Sequence, residues 1–283
     1  MTHEKDKKVL TLQDISCFGQ CSLTVALPII SACGIETAIL PSAVLSTHTA
    51  GFQGYTVRDL TDDIEPIIAH WEKEKIAFDA IYTGYLGSAR QIELAKDMFR
   101  RVGTADCCRI VDPAMADHGK LYWGFTPEFA KQMATLCAEA DITIPNITEA
   151  AMMVDMPFYA DGYDEAYIEE LMRRVLALGA KTVVLTGVSY RAGELGIAVL
   201  SQGQEKISYY FHERMPKNSH GTGDIFAASF VGAVVRGKTP IEAAKIAGDF
   251  TLAGMKATQG DDTHWYGTKF EKVLPMLIDT LNQ

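Results

Sequence analysis

Short β-branched or apolar runs alternate with helical patterns along most of this chain, and that alternation restricts it to very few folds. Residues 9–15, 37–45, 80–83, 109–112, 142–145 and 181–186 read as strands; 21–33, 62–75, 89–102, 127–139 and 163–178 read as helices. The runs at 197–200 and 206–211 predict a hairpin across Gln202-Gly203, and helices near 224–235, 240–258 and 269–281 close the chain. Strands separated by helices of this length favour an α/β fold, a mostly parallel sheet covered on both faces. In such a sheet functional groups collect at the carboxyl ends of the strands. Asp14, Thr47-His48, Gly84-Tyr85, Asp112, Asn146 and Thr186 are all expected at such ends.

The densest chemistry lies in Ser219-His220-Gly221-Thr222-Gly223-Asp224-Ile225-Phe226-Ala227-Ala228. If the apolar run is a helix, its first free N–H groups belong to Gly221–Gly223, with the positive end of the helix dipole behind them. Glycines let a backbone approach phosphate closely, so the segment can serve as an anion hole. Asp224 is then placed to take the proton of a hydroxyl whose oxygen attacks phosphorus. Plain turn chemistry with an acid in the first helical turn has the same letters.

Other segments carry similar pairs of readings. In Val111-Asp112-Pro113 the proline ends the strand, and Asp112 either caps the turn or faces a metal–phosphate unit; Asp117 on the following loop reads as a turn residue. Asn146 and Glu149, three apart, form either a capping box or a pair suited to Mg²⁺, which accepts few protein ligands. Thr186-Gly187 suits a nucleotide phosphate or an ordinary turn. Thr47-His48 leads into Gly51-Phe52-Gln53-Gly54-Tyr55, a glycine-flanked aromatic segment able to cover a small planar ligand.

Composition narrows the classes. With 283 residues, 48% of them apolar, the chain can bury a large core, and it shows no linker or repeat; a single domain over 1–283 is expected, with residues 1–8 as a flexible tail. A formal charge of −10 argues against a nucleic-acid partner. No signal core and no membrane-spanning run is evident, so the expected location is the cytoplasm. The six cysteines form no Cys-x-x-Cys pair and read as thiols.

Together these residues resemble the ribokinase superfamily, and within it the pyridoxal kinases, over almost the whole chain. Gly221-Thr222-Gly223-Asp224 is similar to the superfamily's anion hole and catalytic aspartate, and Asn146-x-x-Glu149 to its magnesium-associated motif. Gln13 to Gly19, Thr47-His48, Gly84-Tyr85-Leu86-Gly87-Ser88, Asp112-Pro113-x-Met115 and Pro145-Asn146 carry the narrower resemblance. It implies a three-layer α/β/α fold and ATP-dependent phosphorylation of the 5′-hydroxymethyl group of pyridoxal, pyridoxine or pyridoxamine. It also implies Mg²⁺, a monovalent cation such as K⁺, and a homodimer. By the same resemblance Asp224 is the base, with Gly221, Thr222 and Gly223 stabilising the transferring group. Asn146, Thr186, Gly187 and Thr222 contact ATP; Asp14, Thr47, His48 and Tyr85 line the vitamer pocket; Asp112 and Glu149 lie near the metal. One departure stands out: Gln13-Asp14 occupies the place where pyridoxal kinases usually carry a serine that meets the pyridine nitrogen. Asp14 would favour a protonated ring, or select another vitamer or a pyrimidine.

The nearest rival, a hydroxymethylpyrimidine kinase, carries a Gly-Gly-Ala-Gly run after the first strand, where this chain has Cys17-Phe18-Gly19-Gln20-Cys21-Ser22. A sugar or nucleoside kinase would need an inserted lid of strands. A vitamer carrier without activity would need no base.

Overall fold

Strand β1 (Lys8–Ser16) is buried on both faces, Val9 toward one apolar layer and Leu10 and Leu12 toward another. Only a central strand of a sheet sandwiched between helices can bury both sets. The computed structural model describes residues 6–216 and 219–283. The remaining strands are β2 (Glu36–Leu45), β3 (Val57–Asp59), β4 (Phe78–Thr83), β5 (Gly103–Val111), β6 (Ala116–Asp117), β7 (Lys120–Leu121), β8 (Ile142–Thr143), β9 (Thr182–Val188), β10 (Glu194–Ser201) and β11 (Ser208–Glu213). The helices are α1 (Leu23–Ala32), α2 (Thr61–Lys73), α3 (Ala89–Arg101), α4 (Pro127–Cys137), α5 (Ile147–Met153), α6 (Glu165–Ala177), α7 (Thr222–Val235), α8 (Pro240–Thr258) and α9 (Leu274–Leu281).

Among the described residues the main sheet has nine strands in the order β11-β10-β9-β8-β5-β4-β1-β2-β3. β2, β1, β4, β5, β8 and β9 run parallel, and the antiparallel strands β3, β10 and β11 lie toward the two edges. Leu10, Leu12, Ile81 and Val111 pack against α2 to α6; Val9, Ala80, Tyr82 and Ile110 pack against α1, α7, α8 and α9. All six parallel strands therefore point their carboxyl ends to one side, where α1, α3, α5 and α7 begin, while α8, joined to α7 by a short connection, runs back and ends there at Thr258.

Departures from the expected elements have local causes. In the run at 142–145 the regular strand is Ile142–Thr143, and cross-strand bonds continue beyond it, Ile144 N–H donating to the Val111 carbonyl and the Pro145 carbonyl accepting the Thr186 N–H, both at 2.9 Å; Pro145 has no N–H of its own to add. The terminal helix expected at 269–281 is broken into a 3₁₀ turn, Phe270–Lys272, and α9. Pro275, compatible with a first helical turn but not an interior, sets that start. β3 escaped notice because all three of its residues are exposed and show no alternation. Of the tail expected over 1–8, residues 1–5 lie outside the described residues, and Lys8 already belongs to β1, its N–H donating to Asp79 Oδ2 at 2.8 Å.

Helix α7 is buried almost all round and carries the anion-hole motif at its start. Phe230 at its middle is fully buried in the apolar layer shared with α1 and α8. Phe230→Ala is expected to lower unfolding free energy by about 3–5 kcal/mol in denaturant titration, the range for truncating a core aromatic.

Candidate active site

The start of α7 is shaped by a backbone that only glycine adopts easily. Gly221, its N-cap, has φ 76 and ψ 5, and a Cβ there would stand 1.8 Å from the Gln20 carbonyl oxygen. The loop after β1 is thereby pressed against the helix end. Ile225 is the first residue to close a helical bond, donating to the Gly221 carbonyl at 3.0 Å. The N–H groups of Thr222, Gly223 and Asp224 precede that bond. A Cβ on Gly223 would meet nothing within 4 Å, so this first turn borders open space, room for an anion. The Thr222 hydroxyl donates back to the Ser219 carbonyl at 3.3 Å.

Asp224 is partly exposed at this turn. Burial of the carboxyl raises its pKa from 3.8 to about 7; the Ser22 N–H facing it opposes the rise, and nearby Asp14 adds to it. Asp112, at the carboxyl end of β5, is also pushed well up, first by burial and then by Glu149 and Asp224. One of its oxygens accepts the Ala114 N–H at 3.1 Å. Glu149 rises to about 7 through burial, although three main-chain N–H groups stabilise its charge. Those bonds come from Met115 (2.9 Å) and Ala116 (3.4 Å) to Oε1 and from Asn146 (2.8 Å) to Oε2.

Asn146 and Glu149 form the full capping box of α5, Asn146 Oδ1 accepting the Glu149 N–H at 2.9 Å. Asn146 Nδ2 donates to the Ala116 carbonyl at 2.8 Å. Both capping and function were readable in this spacing, and capping is what these atoms do here. Thr186 lies inside β9, bridges to Asn146 across the sheet, and places its hydroxyl 3.5 Å from the Pro145 carbonyl. Gly187 follows with φ 85 and open space where a Cβ would be. Asp117 is exposed on the β6–β7 hairpin.

Among the described residues no three His, Cys, Asp or Glu side chains converge as a metal cage. The chemistry still suits a hard cation: Asp112, Glu149 and Asp224 raise one another's or their neighbours' pKa values, and Asp112 has an oxygen outside its bond to Ala114. Mg²⁺ commonly takes one or two carboxylates and completes its shell with phosphate and water.

Asp14 lies within β1, 5% exposed and close enough to Asp224 to raise the pKa of that acid. Ser16 Oγ donates to its Oδ2 at 3.2 Å, and the Ser22 hydroxyl lies against it. Burial raises its pKa despite these donors and the nearby His48. Thr47 Oγ1 is buried with no protein partner among the described residues, a hydroxyl available to a ligand. Tyr85 stacks on Phe125 with centroids 5.5 Å apart, and the Asp14 charge reaches its hydroxyl. His48 is different: Nδ1 accepts the Ala50 N–H at 3.2 Å and Nε2 lies 2.7 Å from the Tyr266 carbonyl. These partners select the Nε2–H tautomer, so the ring latches two chain segments and keeps no free nitrogen for a ligand.

Sequence reading did not foresee the segment after α8. Trp265 packs against Phe52 (centroids 4.6 Å apart) and Tyr266 against Phe18 (4.7 Å), each pair tilted by 44°, and His264 Nε2 lies 3.0 Å from Gln20 Oε1. Two adjacent aromatics before Gly267 were the available signal. Beside it, Met215, Pro216, Met255 and Trp265, together with polar Ser219, Thr258, Gln259, Asp261, Asp262 and His264, line a cleft of mixed polarity that opens next to the first turn of α7.

A family model described as phosphomethylpyrimidine kinase matches residues 28–267. Pyridoxal kinase PdxY of Vibrio vulnificus (strain CMCP6) is 26% identical over 261 residues, covering 88% of this chain and 87% of the relative. A Bacteroides thetaiotaomicron VPI-5482 protein assigned as a phosphomethylpyrimidine kinase, crystallised with pyridoxal, is 36% identical; its TM-score is 0.91, with 96% of each chain covered. Pyridoxal kinase from Lactobacillus plantarum superposes with a TM-score of 0.89 at 29% identity over 97% of each chain.

The raised pKa of Asp224 has a consequence for stability. Between its ordinary 3.8 and about 7 the folded chain holds a proton that the unfolded chain has lost, so this group makes stability fall as pH rises through that window. Asp224→Asn removes the titration. Thermal melts from pH 4 to 8 are expected to show a shallower fall for the variant than for the parent.

Proposed function

The chain belongs to the phosphomethylpyrimidine kinase family, and on that premise we propose that it phosphorylates the 5′-hydroxymethyl group of pyridoxal, pyridoxine or pyridoxamine with ATP. The observation that carries this reading is Asp224, an acid with a pKa of about 7 on a helix turn whose N–H groups border open space. A base poised near neutrality accepts the hydroxyl proton as the alcohol oxygen attacks the γ-phosphorus. The Gly221–Gly223 turn and the α7 dipole stabilise charge gathering on the phosphoryl oxygens, and positioning supplies much of the remaining rate. Mg²⁺, when bound, neutralises charge on the phosphates, with Asp112 the available carboxylate and Glu149 behind it.

In this reading the nucleotide base is assigned to the cleft that includes Met215, Pro216 and Met255, and the phosphates to Thr186, Gly187 and Thr222. Asp14, Thr47 and Tyr85 face the acceptor, and His48 holds the acceptor loop. The reading also includes a monovalent cation such as K⁺ and a homodimer, supported by the family resemblance alone, and a cytoplasmic location, supported by the sequence pattern alone.

A second reading, a hydroxymethylpyrimidine acceptor, draws on Asp14. A buried carboxylate can receive a protonated ring nitrogen or an exocyclic amine, and both chemistries occur among pyridines and aminopyrimidines.

A coupled assay is expected to show ADP release that depends on added pyridoxal, with pyridoxal 5′-phosphate as product; release that ignores every vitamer would refute the reading. The kcat/KM profile should rise with pH through about 7 as Asp224 loses its proton. Asp224→Asn should retain acceptor binding and lower turnover by roughly 10²–10⁴-fold. For specificity, Asp14→Ser is expected to shift the KM ranking among pyridoxal, pyridoxamine and hydroxymethylpyrimidine, and an unaltered ranking removes Asp14 from acceptor selection.

A further inference from the structure

Ser22 has φ 54 and ψ −130, a conformation that side-chain-bearing residues avoid and glycine accepts. Four other non-glycine residues have positive φ, but Ser22 alone among them stands between the two acids of the α7 side of the cleft. As N-cap of α1 its carbonyl accepts from Val25 at 3.0 Å and Ala26 at 2.9 Å. A serine in that position ordinarily caps the helix with its hydroxyl. This one makes no such bond, although the residue is only 5% exposed.

The main chain of Ser22 pairs with Ile15 in an isolated antiparallel bridge, which sets it beside Asp14 and Ser16. Its predecessors Gln20 and Cys21 are packed on Gly221, three residues before Asp224. Its bridge to Ile15 and the packing of Gln20 and Cys21 on Gly221 thus set Ser22 between the two acids, where its N–H opposes the rise of the Asp224 pKa and its hydroxyl that of Asp14. A relaxed αR or β conformation would break the bridge or swing one of these groups away. Strain of this kind persists where the surroundings over-determine it, and such sites are commonly functional.

We propose that Ser22 is a positioning residue that holds Asp224 through its N–H and Asp14 through its hydroxyl, setting the distance between the base and the acid facing the acceptor ring. The proposal rests on the kinase reading for the meaning of those two acids. The hydroxyl acts only through Asp14, and the backbone strain is the condition for engaging both acids at once.

Two variants separate these parts. Ser22→Gly removes hydroxyl and strain while keeping the N–H; Ser22→Ala removes the hydroxyl and keeps the strain. Alanine normally stabilises relative to glycine, so strain at this site reverses the order: the melting temperature of Ser22→Gly is expected to exceed that of Ser22→Ala by several degrees. Both variants are expected to raise the acceptor KM roughly three- to tenfold, more than they change kcat, by analogy with loss of one hydrogen bond to a charged group. In an Asp14→Asn background that KM effect should vanish, since its target is gone. An alanine variant at least as stable as the glycine variant, or a KM effect that persists undiminished beside Asp14→Asn, overturns the proposal. If the parent chain fails to phosphorylate pyridoxal, the kinase reading falls. The Gly-against-Ala order, together with the coupling of Ser22→Ala to Asp14→Asn in thermal melts, then decides on Ser22 independently.

Discussion

Four carboxyl groups, Asp14, Asp112, Glu149 and Asp224, are gathered at one end of a parallel sheet, and burial is the largest influence raising each pKa. Among the described residues, what opposes those shifts is main-chain N–H groups, serine hydroxyls and the His48 ring, with no lysine or arginine among these influences. An arrangement with that much unbalanced acid is unfavourable in the empty protein, since two like charges at a buried site cannot both ionise freely. It becomes favourable when a cation and a ligand with positive or proton-donating groups enter. The rest of the fold can be understood as the means of keeping these acids in place, and perturbed groups of this sort are a recognised mark of functional sites.

The parallel sheet performs that task by geometry. Strands β1, β5 and β9 run the same way, so Asp14, Asp112 and Thr186 emerge at one rim although distant in sequence. Helix α7 closes the rim from one face, and α5 from the other, each bringing its acid in the first turn. An acid in a first turn also complements the helix dipole, which lowers the disadvantage of burying it. Fold and chemistry therefore share the same residues, and loss of an acid is expected to change stability as well as activity.

Much of this was legible in the sequence because periodicity and turn chemistry are local. The alternation at 9–15, 80–83 and 109–112 marked the central strands, and Gly221-Thr222-Gly223-Asp224 marked the end of α7. What stayed hidden depends on which atoms remain free after folding. Asn146 and Glu149 look like ligand-binding residues, yet their polar atoms serve the capping box and the turn at Met115 and Ala116. His48 looks like an acceptor contact, yet both ring nitrogens are engaged. Letters report which donors and acceptors exist; only the fold reports which of them have been used. Ser22 was overlooked for a related reason, since nothing in Cys21-Ser22-Leu23 announces a φ of 54.

The segment after α8 shows how a loop-built rim can still be a defined one. Trp265 touches the mixed-polarity cleft on one side and Phe52 of the acceptor loop on the other, and a Cβ on Gly51 would stand 2.8 Å from its indole ring. The Tyr266 carbonyl fixes His48, and Gln20 joins His264 and Glu271, so loops following β1 and β2 are held to the far end of the chain. Aromatic faces and a few hydrogen bonds, one of them to the Glu271 carboxylate, make these contacts, and Trp265 remains 42% exposed. Such contacts align a loop without burying it deeply, leaving it at the low end of local stability, where segments that admit and release ligands are found. The deep acids at the sheet rim need fixed positions, the shallow aromatics above them need freedom to part, and the two requirements are met by different layers of the same cleft.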